Sequence, residues 1–386
     1  MSPPPAGKDG KDGQPGPIRV VVIDDSAYNR QTIVGMLESD PGIRVVGRAA
    51  DGDEGLKQVL SLVPDVITLD LEMPRMDGFT FLRILMSRRP TPVLVVSGLG
   101  AKENVFKALE LGALDFVVKP SRQISPELRN IREDLLAKIR LVTQLRMLPL
   151  AQRAQGSSSG SSGTSGSFAT TGPHPPVTDD DDSQRPPLTG PAPTTLIAIG
   201  ASTGGPPALQ QILAAIDGKL AAGMVITQHM PPKFTRAFAE RLQRTCRLGV
   251  REAQDGDQVV TGHVLICPGS GSMALRREGS SLRVSIESPD ANARYTPSVD
   301  RMMETAAECM GPDLLAVVLT GMGGDGGKGV RVVKARGGRV VAEAQETAVI
   351  FGMPQEAIAS GSVDEILPLH RMCDAIERFA RRKEPQ

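Results

Sequence analysis

The chain lacks a charge bias: its 44 Lys and Arg are matched by 44 Asp and Glu, so no overall field draws it to nucleic acid or to an anionic lipid surface. Neither nucleic acid nor direct membrane insertion is therefore expected. Cysteine is scarce. The 4 residues Cys246, Cys267, Cys309 and Cys373 show no CxxC spacing, which argues against a metal site or a disulfide framework and for small apolar packing in a reducing compartment. Long apolar runs are missing too. None approaches the ~20 residues that span a bilayer, and Met1-Ser2-Pro3-Pro4-Pro5 opens without the apolar core of a signal peptide. The expected location is cytoplasmic.

What is present divides into parts. A chain of 386 residues suggests two or three domains at roughly 150 residues each. Residues 1–17 are Pro, Gly, Lys and Asp with glycine at Gly7, Gly10, Gly13 and Gly16. That triplet period is too short for a triple helix and reads as a disordered tail. Residues 149–193 shift to Ser, Gly, Thr and Pro with the acidic run Asp179 to Asp182, too poor in apolar surface to fold, and read as a flexible linker. Between them, 18–148 alternates helical segments with short apolar strands at Arg19–Ile23, Ile43–Gly47, Val66–Leu69, Val93–Val96 and Phe116–Val118. The last part, 194–386, repeats the rhythm with strands near Leu196, Met224, Val264, Leu314, Arg339 and Ile366. Alternating strands and helices predict α/β architecture, here two doubly wound parallel sheets.

Such sheets carry their chemistry at the carboxyl ends of strands. In the first domain those ends hold Asp24 and Asp25, then Asp70, then Ser97, then Lys119-Pro120. Paired carboxylates suit Mg²⁺, a hard cation that takes carboxylate, water and phosphate oxygens. A nearby lysine and hydroxyl complement a phosphoryl group.

In the second domain, Leu196-Ile197-Ala198-Ile199 runs into Gly200-Ala201-Ser202-Thr203-Gly204-Gly205, a turn of small residues that exposes one hydroxyl much as a nucleophile elbow does. A hydroxyl needs a base, and the base an orienting group. His229 ends the strand Val225-Ile226-Thr227-Gln228, and Asp325 follows Leu314 to Leu319 within Thr320-Gly321-Met322-Gly323-Gly324-Asp325-Gly326. Each residue alone is an ordinary turn or cap residue; together at three strand ends they form a Ser202–His229–Asp325 triad. Competing histidines fit less well, with His174 in the linker, His370 near the terminal helix and His263 after a turn. A rival reading takes Gly321-Met322-Gly323-Gly324-Asp325-Gly326 as a G-x-G-x-x-G dinucleotide fingerprint with Glu343 as its acidic partner. Its late position in the domain and the negative charge of Asp325 weigh against it.

Residues 18–148 resemble the response-regulator receiver domain, through Asp24-Asp25, Asp70-Leu71-Glu72-Met73-Pro74-Arg75-Met76-Asp77-Gly78, Ser97 and Lys119-Pro120. The resemblance implies that Asp70 accepts phosphate from a histidine kinase. It also implies that Asp24, Asp25, Asp70 and the Glu72 backbone carbonyl hold Mg²⁺, that Ser97 and Lys119 bind the phosphoryl group, and that Phe116 takes the place of a switch aromatic, often tyrosine. The last domain resembles the chemotaxis protein-glutamate methylesterase (CheB) family, through Gly200 to Gly205, Gln228-His229-Met230-Pro231, Glu252-Ala253, Asp255-Gly256, Pro297-Ser298-Val299-Asp300 and Thr320 to Gly326. That implies a phosphorylation-regulated esterase acting on γ-glutamyl methyl esters of chemoreceptors, releasing methanol and in some members deamidating receptor glutamines. Ser202 would be nucleophile, His229 base and then acid, and Asp325 the orienting group, with no cofactor for this chemistry. Two departures stand out: Ser272 before Met273, where the family commonly has His, and Tyr295-Thr296 before Pro297, where it often has a basic or His-containing pair. They leave open an adaptor module with weak or altered esterase activity.

Overall fold

The computed structural model describes residues 16–98, 100, 102–119, 127–141, 188, 190–289 and 293–383. The expected tail 1–17, save Gly16 and Pro17, and the expected linker 149–193, save Leu188 and residues 190–193, lie outside the described residues, as does His174.

In the first domain, β1 (Ile18–Ile23), β2 (Ile43–Ala49), β3 (Val66–Leu69), β4 (Val93–Ser97) and β5 (Asp115–Val118) form a parallel 5-stranded sheet in the order β2-β1-β3-β4-β5. Helices α1 (Ala27–Glu38), α2 (Gly52–Leu62), α3 (Gly78–Arg88), α4 (Lys102–Glu110) and α5 (Glu127–Arg140) connect or follow the strands. Strands β3 and β4 are buried along their whole length, which is why they read as continuous apolar runs. Ser26, Asp51 and Asp77 start α1, α2 and α3 by accepting a backbone N–H three residues on, satisfying donors that a helix cannot satisfy itself.

The second domain has a 7-stranded sheet in the order β14-β13-β12-β6-β7-β9-β8, parallel throughout. Its strands are β6 (Leu196–Ala201), β7 (Gly223–Gln228), β8 (Gly249–Glu252), β9 (His263–Ile266), β12 (Leu314–Val318), β13 (Arg339–Glu343) and β14 (Glu365–Leu367). An antiparallel hairpin, β10 (Ser272–Glu278) with β11 (Ser281–Glu287), stands outside it. Helices α6 (Gly205–Ala215), α7 (Phe234–Thr245), α8 (Val299–Met310), α9 (Gly329–Ala335), α10 (Gly352–Ala359) and α11 (Met372–Ala380) complete the domain. The expected strands are all found, and β8 and the hairpin add to them. Strand order reverses between β6 and β12, the crevice where such sheets place ligands.

The two domains share one hydrophobic cluster. Phe106 of α4 stacks on Phe238 of α7 at 5.4 Å between ring centroids, and Phe116 of β5 meets Phe234 of α7 at 4.6 Å. Around them Arg241 pairs with Glu110 at 2.5 Å, Arg244 with Glu103 at 2.7 Å, and Gln210 donates to Glu110 at 2.7 Å. Leu114 and Leu141 of the first domain pack with Val349 and Ile350 of the second. We predict a coupling of about 0.5–1.5 kcal/mol between Phe106 and Phe238, beyond the area each buries. A double-mutant cycle of Phe106→Ala and Phe238→Ala on urea unfolding measures it, and strictly additive single changes would contradict a direct contact.

Candidate active site

Ser202 follows β6, His229 follows β7 and Asp325 lies in the loop after β12. The register that pairs β6 with both neighbours brings the three ends together: His229 N–H donates to the Ala201 carbonyl at 3.0 Å and Ser202 N–H to the Thr320 carbonyl at 3.0 Å. The left-handed residue of the nucleophile turn is Gly204 (φ +79°) rather than Ser202. A Cβ on Gly204 would sit 2.9 Å from Val349 Cβ, so glycine answers both for the turn and for the packing behind it. This differs from a nucleophile elbow, in which the serine itself carries the strain.

The His229 ring pairs through Nε2 with Asp325 Oδ2 at 2.7 Å. A carboxylate only accepts, so in neutral imidazole Nε2 carries the proton and Nδ1 is the free base. The Ser202 hydroxyl makes no hydrogen bond to that ring among the described residues. Gln228 ties the two turns, its Nε2 donating to the Ser202 carbonyl at 2.9 Å and the His229 carbonyl at 3.0 Å. Asp325 is 1% exposed. Burial raises its pKa, but the His229 ring and the Asp300 and Val299 amides outweigh burial and hold the carboxyl below its usual range. Val299 N–H donates to Oδ2 at 2.7 Å, Asp300 N–H to Oδ1 at 2.9 Å, and the Ser298 hydroxyl to Oδ1 at 3.3 Å. These donors open α8, so the helix start holds the carboxylate in place.

The glycine-rich loop does not fit the dinucleotide reading. The N–H groups of Gly326, Lys328 and Gly329 all donate to Asp300 Oδ1, at 2.8, 3.0 and 2.7 Å, so an internal carboxylate fills the nest a phosphate would need. Glu343 is fully buried and accepts from Thr320 N–H and the Thr347 hydroxyl. His263 contacts the Thr261 carbonyl and His370 is exposed, neither near the triad loops. Of the cysteines, only Cys267 is buried, its thiol pushed up to about 12 by burial; Cys246, Cys309 and Cys373 are half-buried, and all 4 are free.

In the first domain, oxygens of Asp24, Asp25 and Asp70 lie within 4.8 Å of one another. Burial raises the Asp24 carboxyl to about 6 and raises Asp70 as well. Asp24 Oδ2 is buried with no hydrogen bond of normal geometry, and Lys119 Nζ stands 3.4 Å from it and 2.5 Å from Asp70 Oδ2. Burial lowers the Lys119 ammonium's pKa, but Asp70 and Asp24 together outweigh that and leave it above its usual value. The Glu72 N–H donates to Asp70 Oδ1 at 3.3 Å. Ser97, 2% exposed, ends the next strand, and its carbonyl accepts the Lys119 N–H at 2.8 Å. Phe116 is buried, its ring against Phe234 of the other domain. Next to it, Asp115 Oδ2 accepts the hydroxyl of Thr203, the residue after Ser202, at 2.6 Å. Gln228, Ser298 and Asp300 stand within the family-like motifs, but sequence reasoning gave them no role, and it missed this Asp115–Thr203 contact.

The geometry can be set beside known proteins. The CheB methylesterase family profile matches residues 197–376, and the response regulator receiver domain profile residues 20–129. The chain is 51% identical over 355 residues to the "Protein-glutamate methylesterase/protein-glutamine glutaminase 3" of Geobacter sulfurreducens, covering 92% of this chain and 95% of that one. It is 45% identical over 368 residues to "Protein-glutamate methylesterase/protein-glutamine glutaminase 1" of Myxococcus xanthus, covering 95% of this chain and 99% of the other. The crystal structure of the Thermotoga maritima CheB methylesterase catalytic domain is 38% identical, with a TM-score of 0.47 over 50% of this chain and 100% of its own.

Removing Asp325 leaves the Val299 amide buried without an acceptor, so we predict that Asp325→Ala costs about 2–5 kcal/mol of stability. Ser202→Ala, which loses no partnered hydroxyl, should stay within about 1 kcal/mol. Because the folded pKa of Asp325 is depressed, its contribution is present above the usual carboxylate range and fades as pH falls through the folded value. Urea unfolding of both variants at neutral and acid pH checks this; equal midpoints at neutral pH would remove Asp325 from its structural place.

Proposed function

The chain belongs to the CheB methylesterase family, and we propose that Ser202, His229 and Asp325 carry out its protein-glutamate methylesterase and protein-glutamine glutaminase chemistry under the control of phosphorylation at Asp70. The observation that carries this reading is the pairing of His229 Nε2 with the buried Asp325 carboxylate, which leaves Nδ1 as the free base. His229 Nδ1 takes the Ser202 proton as Oγ attacks the γ-carbonyl of the substrate glutamyl ester. The imidazolium, held by Asp325, then gives that proton to the departing methoxide oxygen as the C–O bond breaks, and methanol leaves. Water attacks the acyl-enzyme, loses a proton to Nδ1, and releases the glutamate side chain while Ser202 Oγ regains its proton. With a glutamine side chain the same steps release ammonia. The N–H groups of Thr203 and Met322 donate to no other backbone group among the described residues, and these turns are our candidates for the oxyanion donors. By family, the substrate side chains are those of methylated chemoreceptors.

The receiver carboxylates fit a divalent cation: three converge, and the buried Asp24 oxygen has an unfilled lone pair. Asp24, Asp25, Asp70 and the Glu72 carbonyl would hold Mg²⁺, which when bound neutralises charge on an incoming phosphoryl group. Asp70 Oδ attacks the phosphorus of a phosphohistidine donor as its P–N bond breaks and the donor imidazole leaves, the Ser97 hydroxyl donates to a phosphoryl oxygen, and Lys119 pairs with the new charge.

Regulation follows from the interface. Asp115 bonds the residue next to the nucleophile, and Phe116 lies against Phe234, so the receiver strand that ends at Lys119 also braces the catalytic turn. We assign this packing to the restrained, unphosphorylated state. A differential affinity of the phosphorylated receiver for α6 and α7 is then what opens the site.

Three outcomes are expected. Ser202→Ala, His229→Ala and Asp325→Asn each lower kcat for methanol release about 10⁴-fold or more, and pairs of them cost little beyond the single changes. Near-parental turnover by folded Ser202→Ala would sink the nucleophile assignment. Asp70→Asn takes up no label from radioactive acetyl phosphate with Mg²⁺, whereas Lys119→Ala still takes it up and fails to raise esterase activity; labelling of Asp70→Asn at the parental rate points to another acceptor. Residues 194–386 alone, and full-length Asp115→Ala without phosphodonor, demethylate receptor faster than the unphosphorylated parent. If both are no faster at equal folded concentration, the receiver acts as an activator and not as a restraint.

A further inference from the structure

We propose that Tyr295 positions the catalytic imidazole, a role that rests on reading Ser202, His229 and Asp325 as the hydrolytic triad. Its phenol ring lies nearly parallel to the His229 ring, at 8° with 5.2 Å between centroids. Parallel rings at that separation are laterally offset, the arrangement their quadrupoles favour.

The need for such a contact follows from how His229 is held. The ring is attached at Cβ and pinned at Nε2 by Asp325. Nε2 lies off the extension of the Cβ–Cγ bond, though closer to it than Nδ1 does, so one hydrogen bond at Nε2 restrains rotation about that bond only in part. Such rotation moves Nδ1, the nitrogen that must meet Ser202, somewhat more than it moves Nε2. A flat ring laid over the imidazole face removes this freedom. The same face meets the imidazolium formed once Ser202 has given up its proton, where a cation within ~6 Å of an aromatic ring is stabilised.

Tyr295 is itself fixed. Gly323 has φ +82°, and a Cβ there would fall 2.4 Å from the tyrosine hydroxyl. That hydroxyl accepts the Gly324 N–H at 3.4 Å. Two residues further along, Pro297 and Ser298 lead into α8, whose first N–H groups and the Ser298 hydroxyl hold Asp325. The stacking ring and the orienting carboxylate are therefore mounted on one segment. Ser272 fastens that segment, its Oγ accepting the Ser298 N–H at 3.1 Å. Ser272 and the pair Tyr295-Thr296 are where this chain departs from the family's common residues, and of these Ser272 and Tyr295 lead to the triad.

The test compares Tyr295→Phe, Tyr295→Leu and Tyr295→Ala in the full-length protein. Phe keeps the stacking face; Leu fills the space without it. The Phe variant should keep kcat for methanol release within about threefold of the parent, while Leu and Ala lose about 10- to 100-fold in kcat with KM within about twofold, as expected for a reacting nitrogen displaced by around an ångström. A readout independent of turnover is the ¹⁵N spectrum of the 4 histidines, with His229 assigned by His229→Gln. Parent and Phe should show one ring form with the proton on Nε2, and Leu and Ala a tautomeric average. The proposal is overturned if Leu keeps the parental spectrum and kcat, or if KM rises with kcat unchanged, which would make Tyr295 a substrate wall. Should Ala not fold, Leu decides. A parent that releases no methanol would refute the esterase reading, while the nitrogen spectra would still decide whether Tyr295 orders the ring.

Discussion

Asp325 is the carboxylate around which the catalytic half is organised. It binds the His229 ring, two backbone amides at the start of α8 and the Ser298 hydroxyl. Asp300, in the first turn of α8, answers by accepting three amides from the loop just beyond Asp325. Each aspartate thus satisfies the open donors of the other's segment, so neither loop nor helix start can move without leaving buried N–H groups unpaired, at about 1–3 kcal/mol each. Burial raises the Asp300 carboxyl, since its three amides do not fully offset desolvation and the nearby Asp325 charge. The exchange trades comfort at Asp300 for a firmly ionised Asp325, which is the state that orients an imidazole.

Much of this was readable from sequence because parallel sheets bury their strands on both faces. The runs at Val66–Leu69 and Val93–Val96 needed no periodicity to be seen, and the residues closing each run were natural site candidates. β8 was missed because it is a four-residue edge strand with one buried position. The hairpin was missed for another reason: β10 and β11 mix buried Met273, Leu275, Leu282 and Val284 with arginines and glutamates, so neither stands out as an apolar run. The triad residues sit at strand ends and could be nominated one by one. Gln228, Ser298 and Asp300 stood in family-like motifs yet drew no role, because a residue that serves by holding another has no chemical signature until the fold shows whom it holds. The Asp115–Thr203 bond joins residues 88 apart, in domains that sequence treats separately.

The interface between the domains is built from contacts of unequal weight. Arg244–Glu103 is exposed on both sides and is worth about 0–1 kcal/mol. Arg241–Glu110 is better shielded yet still reaches solvent. The buried terms lie elsewhere. Phe106–Phe238 and Phe116–Phe234 contribute about 0.5–1.5 kcal/mol each beyond their area, and a hydrogen bond to a carboxylate such as Asp115–Thr203 about 1.5–3. Moving an equilibrium from mostly closed to mostly open takes about 5.5 kcal/mol of differential binding. Peripheral ion pairs are too weak to supply that alone; the larger contacts fall on Phe106, Phe116 and Asp115, the last two in β5, three and four residues before Lys119. Under the proposed phosphorylation, a phosphoryl group on Asp70 would meet Lys119 just past the end of β5, the strand that carries Asp115 and Phe116. Phe116 has no hydroxyl to trade hydrogen bonds, so what links β5 to α7 at this point is the packing of its ring against Phe234.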